Sequence, residues 1–292
     1  MNDFHTPVLK DEVINALDIA PGKKYIDATI GGGGHTREIL NRGGFVLGLD
    51  RDPDAIRYVE KEFEEDVVKG KLTLVQTNFA EIREKAEQFG FVNVAGILFD
   101  LGVSSYQIDK SGRGFSFRFD EPLDMRMNNQ AGVTAEKVVN EYSESELYEI
   151  FAKYGEEPNA KEVAHAICLM RVKAPIVTSG QLAQVVSSVS PKNGKIHPAT
   201  RVFQAIRIVV NSELDSLKKG LSDSVEVLGA GGRLVVISFH SLEDRVTKLN
   251  FLEFERSGIG RVYVKKPKTA EYHETQINRR ARSAKLRVFE KR

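Results

Sequence analysis

Cysteine is nearly absent. Cys168 is the only one in 292 residues, which excludes an internal disulfide and any cysteine-rich zinc site. It lies in an apolar helical pattern from Val163 to Met170 and reads as core packing. Long apolar runs are also missing: none approaches the roughly 20 residues that cross a bilayer, so no membrane partner is expected. The N-terminus, Met1-Asn2-Asp3-Phe4-His5, has neither the basic start nor the apolar stretch of a secretory signal, and the expected location is cytoplasmic. Internal repeats, a nucleophile elbow and a His/Asp/Glu cluster at metal-ligand spacing are all lacking, so no metal is expected.

What is present is an ordinary globular balance, 41% hydrophobic and 28% charged, with room for one large α/β domain carrying an insertion or for two smaller domains. The net charge of +1 is unevenly spread. From Arg261 to Arg292 eleven Lys or Arg stand against three Glu, a balance of +8 that leaves −7 for the rest. A basic end on an acidic body suggests a polyanion partner; a solvated surface tail is the alternative.

Tyr25–Thr29 is a short apolar run that ends in a glycine cluster and precedes a helical pattern from Thr36, which predicts strand, turn, helix. Further buried-strand candidates are Phe45–Leu49 ending in Asp50, Leu72–Val75, Val94–Phe99 ending in Asp100, and Arg233–Ser238. Near-continuous apolar strands alternating with helices call for a doubly wound parallel sheet, covered on both faces. About 130 residues separate the fourth and fifth strands, too many for one crossover. An inserted helical domain over 108–206 is therefore expected, dividing the sheet domain into 1–107 and 207–292, with helices at Ser145–Tyr154, Asn159–Val172 and Ser179–Val189 and another opening near Pro198. Arg261–Val264 and Leu286–Phe289 alternate like the arms of a C-terminal hairpin.

Ligands of such sheets sit beyond the carboxyl ends of the strands. The first loop there, Asp27 to His35, carries four glycines, which permit positive φ and close backbone approach, and the next helix presents free N–H groups. The dinucleotide pattern would need its third glycine at Thr36 and lacks it, which weakens a nicotinamide reading. Asp50, about 17 residues beyond Gly33, is placed to accept hydrogen bonds from both ribose hydroxyls of an adenosine, or else is a helix N-terminal acid. Phe79 follows the third strand where an adenine would lie, and Asp100 stands beside the same crevice.

The ordered segments His5-Thr6-Pro7-Val8-Leu9, Gly33-Gly34-His35, Asp50-Arg51-Asp52-Pro53, Asp100 to Ser105 with Gln107, Arg113 to Phe117, Pro122 to Met127, His197 to Arg201, Ser238 to Arg245 and Arg280 to Arg287 run through nearly the whole chain. In these the sequence resembles the MraW family of ribosomal RNA small-subunit methyltransferases. It departs from the family at Asn278-Arg279, where proline commonly follows the asparagine, and in a shorter stretch between Arg245 and Arg279. The resemblance implies a class I S-adenosylmethionine-dependent methyltransferase fold with an inserted helical substrate domain. It further implies S-adenosyl-L-methionine as cofactor, 16S rRNA within the small ribosomal subunit as partner, and transfer to the N4 amino group of a cytidine in the decoding region. Carried over residue by residue, the family's cofactor contacts fall on Gly33, Gly34, His35, Asp50, Phe79, Asp100 and Gln107.

A cytosine amino nitrogen is a poor nucleophile, because its lone pair is delocalised into the ring. It must be aligned with the methyl group and must donate its N–H to acceptors in the transition state. Asp100 is the candidate for that role; binding the cofactor's amino-acid end is the competing one. His240 is a proton carrier or phosphate contact, or a structural histidine bonded to Ser241 or Glu243. Arg113, Arg126, Arg201, Arg279, Arg280 and Arg282 are candidates for RNA phosphate contacts, with Phe115 and Phe117 as stacking platforms. Thr200, Gln204, Arg207 and Asn211 share one helix face, either as a buried network or as a substrate wall. A small-molecule methyltransferase and a non-catalytic ribosome-assembly factor on the same fold remain as other classes.

Overall fold

Apolar runs ending in aspartate form the middle of a seven-stranded sheet in the computed structural model, which describes residues 7–130, 132–190 and 197–292. His5 and Thr6 of the first family-like segment lie outside the described residues. The strands are β1 (Lys24–Asp27), β2 (Phe45–Asp50), β3 (Leu72–Gln76), β4 (Val94–Asp100), β5 (Leu228–Ser238), β6 (Gly260–Val262) and β7 (Lys285–Lys291), in the order β3-β2-β1-β4-β5-β7-β6. The first five pair in parallel, and β7 runs antiparallel to both of its neighbours. Successive side chains point to opposite faces. Tyr25, Val46, Leu98, Val235 and Ile237 accordingly enter one core, and Ile26, Leu47, Ile97, Phe99, Leu234 and Val236 enter the other. Burial on both faces is why these strands lack polar alternation.

Helices α1 (Lys10–Leu17), α2 (Gly34–Asn41), α3 (Pro53–Glu62), α4 (Glu64–Val68) and α5 (Ile82–Gln88) link and cover the first four strands. Asp52 caps α3 by accepting the Asp54 N–H, with proline at the first turn. The fifth strand is longer than the apolar run suggested. It begins at Leu228, pairing with Val94, then slips register so that Arg233 pairs with Gly96. Gly229, Gly231 and Gly232 form a bulge ahead of that run, with Gly231 at φ 73°.

Residues 105–213 form a second compact unit around a separate core. It contains α6 (Ser105–Asp109), α7 (Ala135–Glu141), α8 (Glu144–Gly155), α9 (Ala160–Lys173), α10 (Ser179–Val189) and α11 (Ala199–Asn211). Capping boxes start α8 at Ser143/Glu146 and α10 at Thr178/Gln181, and Cys168 packs at the margin of this core. The expected boundary at 206 falls inside α11, which runs unbroken to Asn211, and the unit ends at Glu213. The polar stripe of α11 divides along its length. Thr200 is exposed, whereas Gln204 donates to the Tyr154 carbonyl, Arg207 forks onto Glu213 at 2.8 Å twice, and buried Asn211 bonds the backbone of Met125 and Met127 at 2.8 Å each. Its inner half is an internal network.

After α12 (Glu213–Val227), the chain makes β5, α13 (Ser241–Arg256) and β6, then a segment with α14 (Tyr272–Ile277) and a 3-10 turn (Arg279–Ser283), and closes with β7. The expected hairpin arms pair as β6 and β7. Among the described residues no helix is long and apolar enough to cross a membrane.

Candidate active site

Three adjacent parallel strands, β2, β1 and β4, each end on an aspartate: Asp50, Asp27 and Asp100. The sheet therefore gathers three carboxylates at one edge, where the loop from Asp27 to His35 also lies. Asp27 was not singled out from the sequence, although its strand-end position repeats that of the other two. It is buried, accepts the Thr36 hydroxyl at 2.7 Å and the Thr29 N–H at 3.3 Å, and thereby ties the strand end to α2. Burial raises its pKa to about 6, opposed by the Thr36 hydrogen bond and the nearby His35. The Thr29 hydroxyl accepts the Asp100 N–H at 2.6 Å, joining β1 to β4 at the same edge.

His35 opens α2 and is 4% exposed. Its Nε2 lies 3.6 Å from Asp100 Oδ2, beyond hydrogen-bond length, and neither ring nitrogen has a hydrogen-bond partner among the described residues. A buried imidazole ordinarily has a hydrogen-bond partner. Gly33 precedes the helix at φ 76°, and a Cβ there would lie 2.6 Å from the Phe63 ring; a Cβ on Gly34 would meet Pro7 at 3.2 Å. Gly33 is thus restricted to glycine by its backbone and the Phe63 ring, quite apart from any ligand, whereas at Gly34 the added contact is only tight.

Asp50 accepts the Gly31 N–H on one oxygen and the Asp52 N–H on the other, each at 2.9 Å. Each oxygen keeps a further lone pair for a hydroxyl. Burial raises its pKa to about 6 against those two hydrogen bonds. Phe79 packs edge-on to Phe99 with centroids 5.4 Å apart, and the Arg51 guanidinium lies 5.8 Å from its ring centre. Asn78 holds that turn by accepting the Ala80 N–H and donating to Ser216. Gln107 belongs to the inserted unit, where it is buried in α6.

The arginine candidates separate by environment. In the inserted unit, Arg113 is buried and donates to the carbonyls of Arg126 and Met127, so it braces a loop. Arg126 is paired bidentately with Asp124 at 2.9 and 2.7 Å. Arg201 is exposed and donates to the Glu156 carbonyl. Phe117 is not an open platform: it stacks on His197 at 4.3 Å and meets Phe203 edge-on. In the sheet unit, His240 caps α13, with Nδ1 accepting the Glu243 N–H at 3.4 Å and Nε2 lying 3.1 Å from the Glu243 carboxylate. Of the basic C-terminal charges, Arg261 pairs with Glu290, Lys285 and Arg287 with Asp244, and Lys291 donates to the carbonyls of Val225 and Leu228. Arg280 donates to the Val103 carbonyl. Lys265, Lys266, Lys268, Arg279 and Arg282 remain on the surface. The segment that looked like a uniformly basic tail is half structural.

A doubly wound sheet with a single reversed strand, a glycine loop after β1 and acidic strand ends at β1, β2 and β4 defines a class I methyltransferase fold. Within that class the chain belongs to the MraW methylase family, whose model matches residues 2–292. It is 46% identical to the ribosomal RNA small subunit methyltransferase H of Carboxydothermus hydrogenoformans, an alignment covering 100% of this chain and 99% of that protein. Identity is again 46% to the protein of that name from Deinococcus radiodurans, over 98% of this chain and 89% of the other. Among solved structures, an rRNA methylase from Streptococcus thermophilus matches 98% of this chain and 97% of its own at 11% identity, with a TM-score of 0.47.

Proposed function

We propose that this protein transfers a methyl group from S-adenosylmethionine to the N4 amino group of a cytidine in the decoding region of small-subunit ribosomal RNA. The observation that carries the reading is the buried His35 imidazole, without a hydrogen-bond partner among the described residues, set beside Asp100 and Asp27 at the edge of a methyltransferase sheet. Family membership and the names borne by the curated relatives supply the substrate class.

The residues present fit the cofactor. Asp50 has lone pairs for a ribose diol, Phe79 offers a ring for the adenine, and the start of α2 at Gly34 and His35 offers backbone donors and an imidazole. S-adenosylmethionine, when bound, supplies an electrophilic methyl on a sulfonium centre. Asp100 accepts a hydrogen bond from the cytidine amino group, concentrating its lone pair on nitrogen, and takes up the proton released as the N–C bond forms, directly or through water. Exposed Arg279 and Arg282 contact RNA phosphates.

The purified protein, labelled S-adenosylmethionine and small subunits lacking the modification provide the test. Label is expected on the N4 of one decoding-region cytidine. Label on another base overturns the specificity, label on a small molecule the substrate class, and cofactor binding without transfer the catalytic reading.

A further inference from the structure

Three residues at the end of β4, Asp100, Leu101 and Val103, are held by hydrogen bonds from outside the loop. Asp100 donates its N–H to Thr29, and Leu101 donates its N–H to the Ile237 carbonyl at 3.0 Å. Between these and the next residue, Gly102 takes φ 94°, where a Cβ would meet the Phe239 ring only at an ordinary contact distance of 3.5 Å. The Val103 carbonyl accepts from Arg280, whose guanidinium stands 5.6 Å from the Phe239 ring centre. The first two restraints come from the sheet itself. That on Val103 comes from Arg280, so the end of the loop depends on the segment between β6 and β7.

That segment is firmly attached. Lys268 bridges to Leu286, the Glu274 carboxylate accepts the Leu9 N–H at 2.8 Å, and Ala281 and Ala284 enter the core. In the 3-10 turn of residues 279–283, positions three apart share a side. Arg279 and Arg282 accordingly lie together on the exposed side, while Arg280 and Ala281 turn inward.

We propose that Arg280 is a positioning residue: it locks the Gly102–Val103 loop beside Asp100 and couples that loop to the RNA-facing arginines on either side of it. It therefore acts on the geometry of transfer, and its charge is not a phosphate contact. The inference rests on the methyl-transfer reading above.

Arg280→Lys keeps the charge and loses the planar fork and its stacking. With unmodified small subunits and saturating cofactor, kcat is expected to fall roughly ten- to hundredfold, as for a small misplacement of reacting groups. The KM for RNA stays within about twofold and the salt dependence of RNA binding is unchanged. Arg279→Ala supplies the contrasting signature of a phosphate contact, a raised KM and a salt slope reduced by about one. Amide exchange at residues 101–104, measured without RNA or cofactor, is expected to be faster in Arg280→Lys than in the parent. Phe239→Leu, which removes only the ring, should shift kcat and exchange in the same direction but less. An Arg280→Lys variant that behaves like Arg279→Ala, or whose exchange at 101–104 is unaltered, overturns the proposal. If the parent protein transfers nothing to RNA, the function reading falls, and exchange at 101–104 still decides whether Arg280 anchors the loop.

Discussion

Replacing Gly33 by alanine tests what the glycine loop is for. The added Cβ would sit 2.6 and 2.8 Å from two atoms of the Phe63 ring and 3.5 Å from Val59, at φ 76°. Phe63 cannot easily yield, since it is 3% exposed and its ring carries the Arg37 guanidinium at 4.1 Å. The left-handed backbone costs about 1–2 kcal/mol for a non-glycine residue, and overpacking a filled site adds about 1–3 kcal/mol. At roughly 2–4 °C per kcal/mol for a unit of this size, the melting temperature should drop by on the order of 10 °C, without cofactor present. Thermal unfolding of the apo protein measures this. Adding Phe63→Leu should recover part of the loss, because it removes the ring edge that the methyl group strikes. An unchanged melting temperature combined with weakened cofactor binding would show that the glycine serves ligand approach and that the packing argument is wrong.

Asp50→Asn should weaken S-adenosylmethionine binding by about ten- to hundredfold, the loss of one charge-assisted hydrogen bond; calorimetric titration measures it, and unaltered affinity removes Asp50 from the ribose role. Asp27 has its pKa raised by burial to about 6. A raised carboxylate binds its proton more tightly folded than unfolded, so its contribution is favourable at low pH and is lost as pH rises through 6. Asp27→Asn should therefore gain on the parent by about 1 kcal/mol between pH 5 and pH 7.5, read from denaturant unfolding at the two pH values; a pH-independent difference contradicts the shift. His240→Ala should cost about 1 kcal/mol through loss of the α13 cap, and His240→Asn should restore it. Full stability of His240→Ala with impaired transfer would instead make His240 part of the chemistry.

The core strands were legible because burial on two faces leaves an apolar run whatever the neighbours are. The acidic strand ends Asp50 and Asp100 were legible because a polar residue closing such a run marks the carboxyl edge of the sheet. The helices expected to open at Ser145 and Ser179 open at Glu144 and Ser179, each behind a capping box. The family segments, spaced along the chain, narrowed the chemistry further.

Three features had to wait for tertiary structure. Asp27, Thr29 and Thr36 join Asp100 only because β1 and β4 are paired, a relation between residues about 70 positions apart. The glycines before Arg233 extend a strand through a bulge, since pairing with Val94 outweighs their local preference for a turn. The arginines all look alike in the sequence, yet Arg113 and Arg280 turn inward onto backbone carbonyls while Arg279 and Arg282 are exposed, Arg282 with one hydrogen bond to the Thr275 carbonyl. The sequence by itself determined the layered sheet, the acidic edge and the insertion, because these follow from local periodicity and strand-end chemistry. Which charges bind outward and which brace the loop beside Asp100 was decided by tertiary structure alone, because a guanidinium's partner is set by what the fold brings within reach.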